Sequence, residues 1–249
     1  MLTDGREERK PARVSERTKQ AGEVRGRWSW TEPGVWTERM LTALEEGVKG
    51  GKWFSLIDKV YSEKVLHLAF TKVKARKWAA GTDHQTIEMF EKALEVNLAR
   101  LSNELKNGAY RPQPVRRVWI PKPGSREKRP LGIPTVRDRV VQTAMRMVLE
   151  PIFERDFAAQ SYGFRPNRGC KDALRRVDAL LKQGYTWVVD ADIKSYFDTI
   201  SHDMLMELIS RKISDGRLIT LIESYLKQNI LDTAAQWTPE EGTPQGAVI

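Results

Sequence analysis

The sequence predicts a helix-rich α/β (α+β) fold with short antiparallel strands, and three observations support this. Apolar residues recur every three or four positions over several long segments, which is the period of an amphipathic helix. Shorter apolar segments bounded by Pro and Gly are typical of strands. The chain of 249 residues is 40% hydrophobic and contains eight Trp, seven Phe and six Tyr, enough to fill a core. Strands separated by helices favour a mixed architecture.

The N-terminal part divides into an arm and a helical region. Residues 1–35 are polar and lack apolar periodicity, so we expect a flexible, basic arm that ends in a cluster of Trp28, Trp30 and Trp36. We expect these rings to dock on the body of the protein, with stacking on bases as the alternative. Residues 36–110 are predicted to form a helical extension, with helices over 37–49, 61–77 and 85–107.

The elements after residue 110 mix strands and helices. Strands over 115–120 and 128–133 are predicted to form a hairpin through a turn at Pro123, Gly124 and Ser125. Helices are predicted over 136–150, 170–181, 202–211 and 217–227, the first ended by Pro151 and the third capped by Ser201. Residues 185–190 are predicted to form a short apolar strand that ends in acids.

The positive charge of the chain is concentrated in one segment. The net charge is +9, and residues 111–139 carry nine basic residues against two acidic ones. This basic stripe includes Arg111, Arg116 and Arg117. Such a concentration favours polyanions, nucleic acid first, because binding releases condensed counterions. A solvated protein face is the alternative.

Composition excludes several classes of protein. A single cysteine, Cys170, excludes an internal disulfide and a cysteine-rich metal site, and it suits a reducing compartment. No apolar run approaches the roughly 20 residues of a membrane span. The charged N-terminus lacks the apolar stretch of a signal peptide. We therefore expect a soluble intracellular protein that does not bind membranes.

Two segments carry candidate acid and amide chemistry. On a strand, Asp190 and Asp192 would share one face, and carboxylates at the end of a buried strand are a usual way to hold Mg²⁺. Acids in such positions also cap helices or face solvent. Residues 242–249 combine glycines, which permit close approach to a ligand, with the donor and acceptor of Gln245. An ordinary loop is the alternative there.

Two further segments are basic. Lys122 and Arg129 flank the turn of the predicted hairpin and could converge on a triphosphate, one as a point charge and the other as a planar fork. Residues 161–169 contain Arg165, Arg168 and two aromatic residues among Gly and Pro, which suits a clamp on a template backbone. Solvated charges and an ordinary ordered connection are the alternatives.

The order of these segments is more specific than any one of them. The chain reads Arg-Pro-Leu-Gly-Ile-Pro at 129–134, Tyr-Gly-Phe-Arg-Pro-Asn-Arg at 162–168, Asp-Ile-Lys-Ser-Tyr-Phe-Asp at 192–198 and Gly-Thr-Pro-Gln-Gly at 242–246. Over residues 35–249 it closely resembles the reverse transcriptases encoded by bacterial group II introns. The Ala-Gly-Thr-Asp sequence at 80–83 resembles the N-terminal extension motif of that family. The resemblance implies a right-hand polymerase, with fingers over 111–184 and an incomplete palm over 185–249.

The resemblance also implies a role for each candidate residue. Asp192 matches the first metal-binding aspartate, with the carbonyl of Ile193 nearby, and Phe197 matches the aromatic residue that excludes a ribose 2′-hydroxyl. The other matches are Lys122 and Arg129 to the residues that hold the phosphates of the incoming dNTP, Gln245 to a glutamine that contacts the nucleotide, and Arg165 and Arg168 to contacts with template or intron RNA.

The implied function is RNA-directed DNA synthesis in intron mobility, with assistance to splicing. Its partners would be group II intron RNA, an RNA template with a DNA primer, and dNTPs, with Mg²⁺ as cofactor in a two-metal mechanism. The implied location is the bacterial cytoplasm, including the nucleoid. No Ala-Asp-Asp sequence, which carries the family's other catalytic acids, occurs in the chain. We therefore expect that the 249 residues alone do not polymerise DNA.

Three alternatives remain at the level of the sequence. The chain could be a non-catalytic module that binds intron RNA through the basic stripe, or a truncated remnant. It could also be a reverse transcriptase of a retron or of a CRISPR-associated system, since the motifs are partly shared. The sequence leaves homodimer formation open.

Overall fold

The computed structural model describes residues 24–124, 126–232 and 235–243. Helices α1 to α9 span Glu38–Glu46, Ile57–Val60, Glu63–Ala75, Ile87–Lys92, Leu94–Lys106, Val136–Glu154, Cys170–Lys182, His202–Ser210 and Gly216–Leu226. Strands β1 to β4 span Val115–Pro121, Lys128–Ile133, Ile230–Asp232 and Ala235–Trp237. Short 3₁₀ turns lie at Lys49–Gly51 and Tyr196–Asp198. The predicted mixed, helix-rich fold is therefore confirmed.

The main hydrophobic core lies where α3 packs along α6. Leu66 of α3 and Val140 of α6 are fully buried, and α1, α5 and α9 contribute to the same cluster. The buried sheet residues Val115 and Ile230 lie outside that cluster, so the sheet forms a separate layer. Among the described residues, no helix combines the length and apolar composition that crossing a bilayer requires.

The sheet joins two hairpins in the order β2-β1-β3-β4. Strands β1 and β2 are antiparallel with Arg116 opposite Ile133 and Pro121 opposite Lys128, as the sequence predicts. Strands β3 and β4 form a second antiparallel pair, which the sequence analysis missed because each has three residues. Beside these two antiparallel pairs, β1 and β3 pair in parallel, which the sequence analysis did not predict. This pairing fixes the first hairpin to the C-terminal part of the described chain.

Residues 24–35 correct the prediction of a flexible arm. Trp28 is 3% exposed, Val35 is 2% exposed, and Trp36 is fully buried in the core. The expected docking of tryptophans is therefore found for Trp28 and Trp36, and this part of the predicted arm is packed. The remainder of the predicted arm, residues 1–23, lies outside the described residues.

The predicted helix over 85–107 is two helices. Ala93 has φ −125° and ψ 40°, outside the helical region, and it separates α4 from α5. The side chain of Asn97 donates a hydrogen bond of 2.9 Å to the carbonyl oxygen of Phe90, just before the break. The apolar period continues across Ala93, so periodicity alone does not show the interruption.

Pro151 does not end α6, contrary to the prediction. The helix continues to Glu154 with Pro151 inside it. Proline has no N–H, so the carbonyl oxygen of Met147, four residues earlier, loses its helical partner. The indole Nε1 of Trp36 donates a hydrogen bond of 3.0 Å to that oxygen. A residue 111 positions away thus compensates for the proline.

Replacing Trp36 by Phe is expected to lower the free energy of unfolding by about 2–3 kcal/mol, because the half-buried carbonyl oxygen of Met147 loses its donor and a fully buried ring becomes smaller. Chemical denaturation measures this loss. The half-buried Trp30 lies at the edge of the same core, and Trp30→Phe is the control, with an expected loss below about 1 kcal/mol. Equal losses in the two variants would contradict the role given to the Trp36 indole.

The predicted strand at 185–190 does not form. These residues have no regular secondary structure and are all exposed, with Trp187 at 96% and Val189 at 93%. A strand requires a neighbour for its backbone hydrogen bonds, and none of the described strands pairs with this segment. Apolar composition identifies a segment suited to a sheet, whereas a partner decides whether the strand forms.

Candidate functional site

Two segments singled out in the sequence meet in the structure. The backbone N–H of Gly242 donates to the carbonyl oxygen of Ile200 at 2.8 Å, and that of Thr243 donates to the carbonyl oxygen of Phe197 at 2.7 Å. Ser201 and Glu241 form an isolated antiparallel bridge beside these bonds. We call this contact between residues 197–202 and 241–243 the junction.

Gly242 is required at the junction for two reasons. It has φ +79°, a conformation that side chains disfavour. A Cβ at this position would also lie 2.7 Å from the carbonyl oxygen of Asp198 and 2.9 Å from that of Phe197. Only a residue without a side chain therefore allows the two backbones to approach this closely.

His202 is a residue of the junction that the sequence analysis did not identify. The analysis placed it only as the first residue of a helix capped by Ser201, and that cap is confirmed, since the Ser201 hydroxyl accepts from the Met204 N–H at 3.3 Å. The buried His202 ring places Nε2 2.7 Å from the carbonyl oxygen of Gly242. His202 and Gly242 are 40 residues apart in the sequence, so no local pattern indicates their contact.

Phe197 lies on the exposed side of the junction. Its side chain and that of Tyr196 are each 51% exposed, with ring centroids 5.4 Å apart. Both aromatic residues lie in the 3₁₀ turn of residues 196–198, which begins after Ser195, a residue with φ +53°. The turn leaves both rings accessible to a ligand while the backbone of Phe197 is held by Thr243.

Lys122 and Arg129 share one face of the first hairpin. Arg129 lies opposite Ile120, and the N–H of Lys122 donates to the carbonyl oxygen of Glu127, so the alternation of side chains places both cations on the same face. Lys122 forms an ion pair of 2.7 Å with Glu127, whose pKa is lowered by the hydrogen bond and the charge of that lysine. Both cations are exposed beside the turn, and their convergence on a triphosphate stays a prediction.

The side chains of Arg165 and Arg168, which are predicted to contact RNA, form hydrogen bonds within the protein. Arg165 binds the Glu154 carboxylate through Nε and Nη2 and also donates to the carbonyl oxygens of Ala158 and Ser161. Arg168 donates to the carbonyl oxygens of Ala159 and Ser161. Both arginines hold their own loop together, and their contact with RNA stays a prediction.

The three arginines of the basic stripe have different partners within the protein. Arg111 is exposed and donates to the carbonyl oxygens of Gly108 and Tyr110. The half-buried Arg116 donates to the carbonyl oxygen of Ala80 at 2.8 Å. Arg117 instead contacts tryptophan rings on the opposite face of β1.

Arg116 belongs to a set of contacts that hold residues 79–83 against the start of α6. The fully buried Arg139 donates to the carbonyl oxygen of Ala79 at 3.0 Å. Gly81 packs directly on backbone, since a Cβ there would lie 2.6 Å from the Cα of Thr135. The Ala-Gly-Thr-Asp motif is thus a fixed support for the base of β1.

The predicted metal ligands are not assembled among the described residues. Asp192 and Ile193 are exposed and lie in a segment without regular secondary structure. In this part of the chain, no three His, Cys, Asp or Glu side chains cluster as a metal site would require. One aspartate can supply only part of the ligand set of a divalent ion. Gln245 lies outside the described residues.

A buried polar network fixes the strands that adjoin the site. The Tyr110 hydroxyl donates to the carboxylate of Asp138, and the hydroxyl of Tyr225 lies 2.7 Å from that of Tyr110. Asp138 also accepts from the N–H of Gln113, just before β1, and from the side chain of Gln228, just before β3. Burial raises the pKa of Asp138, against the lowering effect of the hydrogen bonds that Tyr110 and Gln113 donate.

The network predicts a loss of stability in alkali. Burial raises the pKa values of Tyr110 and Tyr225 well above 10, with the charge of Asp138 adding to both shifts. The unfolded tyrosines lose protons near pH 10 while the folded ones keep them, so their stabilising effect is complete below pH 10 and is lost as the pH rises further. Above pH 10, each of these two tyrosines lowers the free energy of unfolding by up to about 1.4 kcal/mol per pH unit.

In Tyr225→Phe, the free energy of unfolding is expected to fall less steeply above pH 10, by about the contribution of one tyrosine. At neutral pH the variant should be about 1 kcal/mol less stable than the wild type, because a buried hydrogen bond is lost. Urea denaturation between neutral pH and pH 11 measures both effects. An unchanged alkaline slope would show that Tyr225 ionises equally easily in the folded and unfolded chain.

The comparison with known families decides the identity. Residues 120–249 match the family described as reverse transcriptase (RNA-dependent DNA polymerase). The chain belongs to the reverse transcriptase family. The match begins in β1 and contains Lys122, Arg129, Asp192 and Phe197, together with both sides of the junction. Members of this family use divalent metal ions and copy RNA templates.

Individual relatives support the resemblance to intron-encoded proteins. Protein YkfC of Escherichia coli K12 is 39% identical over 227 residues, which cover 89% of this chain and 55% of YkfC. The group II intron-encoded protein LtrA of Lactococcus lactis subsp. cremoris is 38% identical over 187 residues, or 74% of this chain and 31% of LtrA. The chain thus spans about half or less of the length of these curated relatives.

A solved structure supports the fold. The chain resembles a chain of a partial Cas6-RT-Cas1–Cas2 complex with a TM-score of 0.52 and 23% identity, covering 78% of this chain and 32% of the other. At this identity the likeness shows the fold alone. The helices and the small sheet thus share the arrangement of the matched part of that chain.

Proposed function

We propose that the chain is the template- and nucleotide-binding part of an RNA-directed DNA polymerase that acts with group II intron RNA. In this assignment, residues 111–184 form the fingers and residues 185–249 the first part of the palm. Reverse transcription would serve intron mobility, and binding of the same RNA would assist splicing. The location would be the bacterial cytoplasm, close to the nucleoid.

The observation that carries the proposal is the junction. It holds the backbone of Phe197 through Thr243 and leaves the aromatic ring exposed. Through β3 and its parallel pairing with β1, the same region of the chain is joined to the hairpin that bears Lys122 and Arg129. A nucleotide needs an apolar surface for its sugar and base, and cations for its phosphates, and these two segments supply them.

The roles of individual residues follow from that arrangement. Lys122 and Arg129 would bind the phosphates of a dNTP, Phe197 would contact its sugar, and Gln245 would contact the nucleotide. Asp192, with the carbonyl of Ile193, would be one ligand of a Mg²⁺ ion whose other ligands come from outside the described residues. The side chains that would lie along the RNA are Arg111, Arg116, Arg117, Arg165 and Arg168, of which Arg111 is the exposed one.

Primer extension tests the proposal. We use "full-length protein" for a protein that carries these 249 residues together with the family's remaining catalytic acids. It should extend a DNA primer on an RNA template with dNTPs and Mg²⁺, and Asp192→Ala should reduce synthesis by at least about 1,000-fold, because a metal ligand is lost. Asp190→Asn is the matched control, since Asp190 is an exposed acid of the same segment. Its activity should stay within a few-fold of the wild type.

Two outcomes would contradict the proposal. Full-length protein that binds RNA with steep salt dependence but does not extend the primer would indicate an RNA-binding module without catalysis. Equal losses in the Asp190 and Asp192 variants would remove the distinction between a ligand and its neighbour.

A further inference from the structure

One peptide group of the junction, which links Gly242 to Thr243, is held at both ends. Its N–H donates a hydrogen bond of 2.7 Å to the carbonyl oxygen of Phe197. Its carbonyl oxygen lies 2.7 Å from Nε2 of His202. A trans peptide group is planar, and its C=O and N–H point in opposite directions. His202 and Phe197 therefore bind opposite ends of one rigid unit.

His202 donates the hydrogen bond to this peptide group. A carbonyl oxygen only accepts hydrogen bonds, so Nε2 carries the hydrogen, in the neutral ring as in the protonated one. The histidine is 7% exposed, and Gly242 is buried as well. Removal of the donor would therefore leave a buried oxygen without its partner, which is unfavourable.

The backbone freedom of Gly242 makes a contact to its carbonyl oxygen necessary. Only glycine fits at this position, but a residue without a side chain also restricts its own backbone least. The N–H of Gly242 is fixed by the carbonyl oxygen of Ile200, which holds the peptide group before Gly242 and not the one after it. The bond from His202 supplies the restraint on the second peptide group.

Phe197 is the residue that a rotation of this peptide group would release. Its ring is 51% exposed, so packing around the ring restrains it only in part. The turn that contains it begins after Ser195, whose φ of +53° is uncommon for a residue with a side chain. The hydrogen bond from Thr243 holds the backbone of Phe197, and that bond depends on the orientation of the peptide group that His202 fixes.

We propose that His202 is a positioning residue for the selection of the nucleotide sugar. By holding the carbonyl oxygen of Gly242, it keeps the ring of Phe197 where the ring discriminates between deoxyribose and ribose. The inference rests on the proposed function, which places the sugar of the incoming nucleotide against Phe197. His202 acts through the peptide group and does not touch the nucleotide. Sugar selection then depends on a buried hydrogen bond as well as on the size of the aromatic ring.

Two variants of matched shape test this inference. Gln and Met have similar length and volume, but only Gln ends in an N–H donor. In primer extension by the full-length protein, His202→Met should raise incorporation of ribonucleotides relative to deoxyribonucleotides at least about 5-fold, whereas His202→Gln should keep that ratio within about 2-fold of the wild type. The ratio compares two values of kcat/KM measured with one protein preparation, so a smaller fraction of folded protein does not change it.

Hydrogen exchange gives a second readout, in which the Thr243 amide should exchange at least about 5-fold faster in His202→Met than in His202→Gln. If His202→Met does not fold, His202→Asn replaces it, because the shorter amide does not reach the position of Nε2 and should raise the ribonucleotide ratio in the same way.

Thr86→Ala is the control for a loss of stability away from the junction. The Thr86 hydroxyl caps α4 by accepting from the N–H of Met89 at 3.2 Å. Loss of a cap destabilises a protein without any contact to the nucleotide site. The ribonucleotide ratio of this variant should equal that of the wild type.

The possible failures are distinguishable. Wild-type full-length protein that does not extend the primer would contradict the proposed function itself. A changed ratio in Phe197→Ala together with an unchanged ratio in His202→Met would overturn the positioning role and leave the proposed nucleotide site intact. Equal increases in His202→Met and His202→Gln, or an increase in Thr86→Ala, would also overturn the inference, since side-chain shape or stability alone would then explain the effect.

Discussion

Replacing Gly242 by Ala is expected to open the junction. The new Cβ would lie 2.7 Å from the carbonyl oxygen of Asp198, and the residue would have to keep φ +79°. The conformation costs about 1–2 kcal/mol for a residue with a side chain, and the contact with backbone adds about 1–3 kcal/mol. The hydrogen bonds of Gly242 and Thr243 across the junction would break.

Hydrogen exchange measures this opening directly. The amide of Thr243 should exchange at least about 30-fold faster in Gly242→Ala than in the wild type, since about 2 kcal/mol or more of local stability is lost. Gly108→Ala is the matched control because Gly108 has φ +70° and nothing within 4 Å of a Cβ. Gly108→Ala should lose stability through its backbone conformation while the exchange rate of the Thr243 amide stays unchanged. An unchanged exchange rate of that amide in Gly242→Ala would contradict the close packing described for the junction.

Gly81→Ala is expected to destabilise the whole described chain by about 3 kcal/mol or more. A Cβ at Gly81 would lie 2.6 Å from the Cα of Thr135, 2.7 Å from its nitrogen and 2.9 Å from the carbonyl carbon of Pro134. None of these backbone atoms can rotate away. Thr135 caps α6, the longest helix of the core, so its displacement would disturb the packing of that helix.

Chemical denaturation measures the effect of Gly81→Ala. Gly163→Ala is the control because a Cβ at Gly163 meets nothing within 4 Å, and its change should stay within about 1 kcal/mol. A Gly81 variant as stable as the wild type would show that residues 79–83 can move away from α6 without cost.

The parts of the fold that could be predicted are those specified by nearby residues. The first hairpin was predicted because its strands flank a Pro-Gly turn, and β1 and β2 form as expected. The cap at Ser201 was predicted because a hydroxyl before a helix satisfies backbone N–H groups within the next turn.

The parts that were missed depend on distant residues. Pro151 remains inside α6 because the Trp36 indole supplies a donor to the carbonyl it frees. The parallel pairing of β1 with β3 joins segments more than 100 residues apart, and no local pattern indicates it. The strand predicted at 185–190 has the right composition but no partner among the described strands.

In the candidate site too, the sequence predicts the residue types but not the contacts between distant residues. The motifs identified the residue types and their order, and hence the family. Their order did not show that Gly242 packs on Asp198, that His202 holds the junction, or that Arg165 is bound by Glu154. These contacts exist only in the folded chain, so sequence reasoning assigned Arg165 to RNA without seeing its partner.

The measurement that tests the central claim most directly is ribonucleotide incorporation by the full-length protein in primer extension. The claim is that the exposed side of the junction contacts the sugar of the incoming nucleotide, with Phe197 as the contacting ring. Tyr196 is its matched neighbour, equally exposed at 51%. Phe197→Ala should raise incorporation of ribonucleotides relative to deoxyribonucleotides at least about 10-fold, whereas Tyr196→Ala should leave that ratio within a few-fold of the wild type. The same increase in both variants, or an increase in the Tyr196 variant alone, would contradict the placement of the nucleotide at this junction.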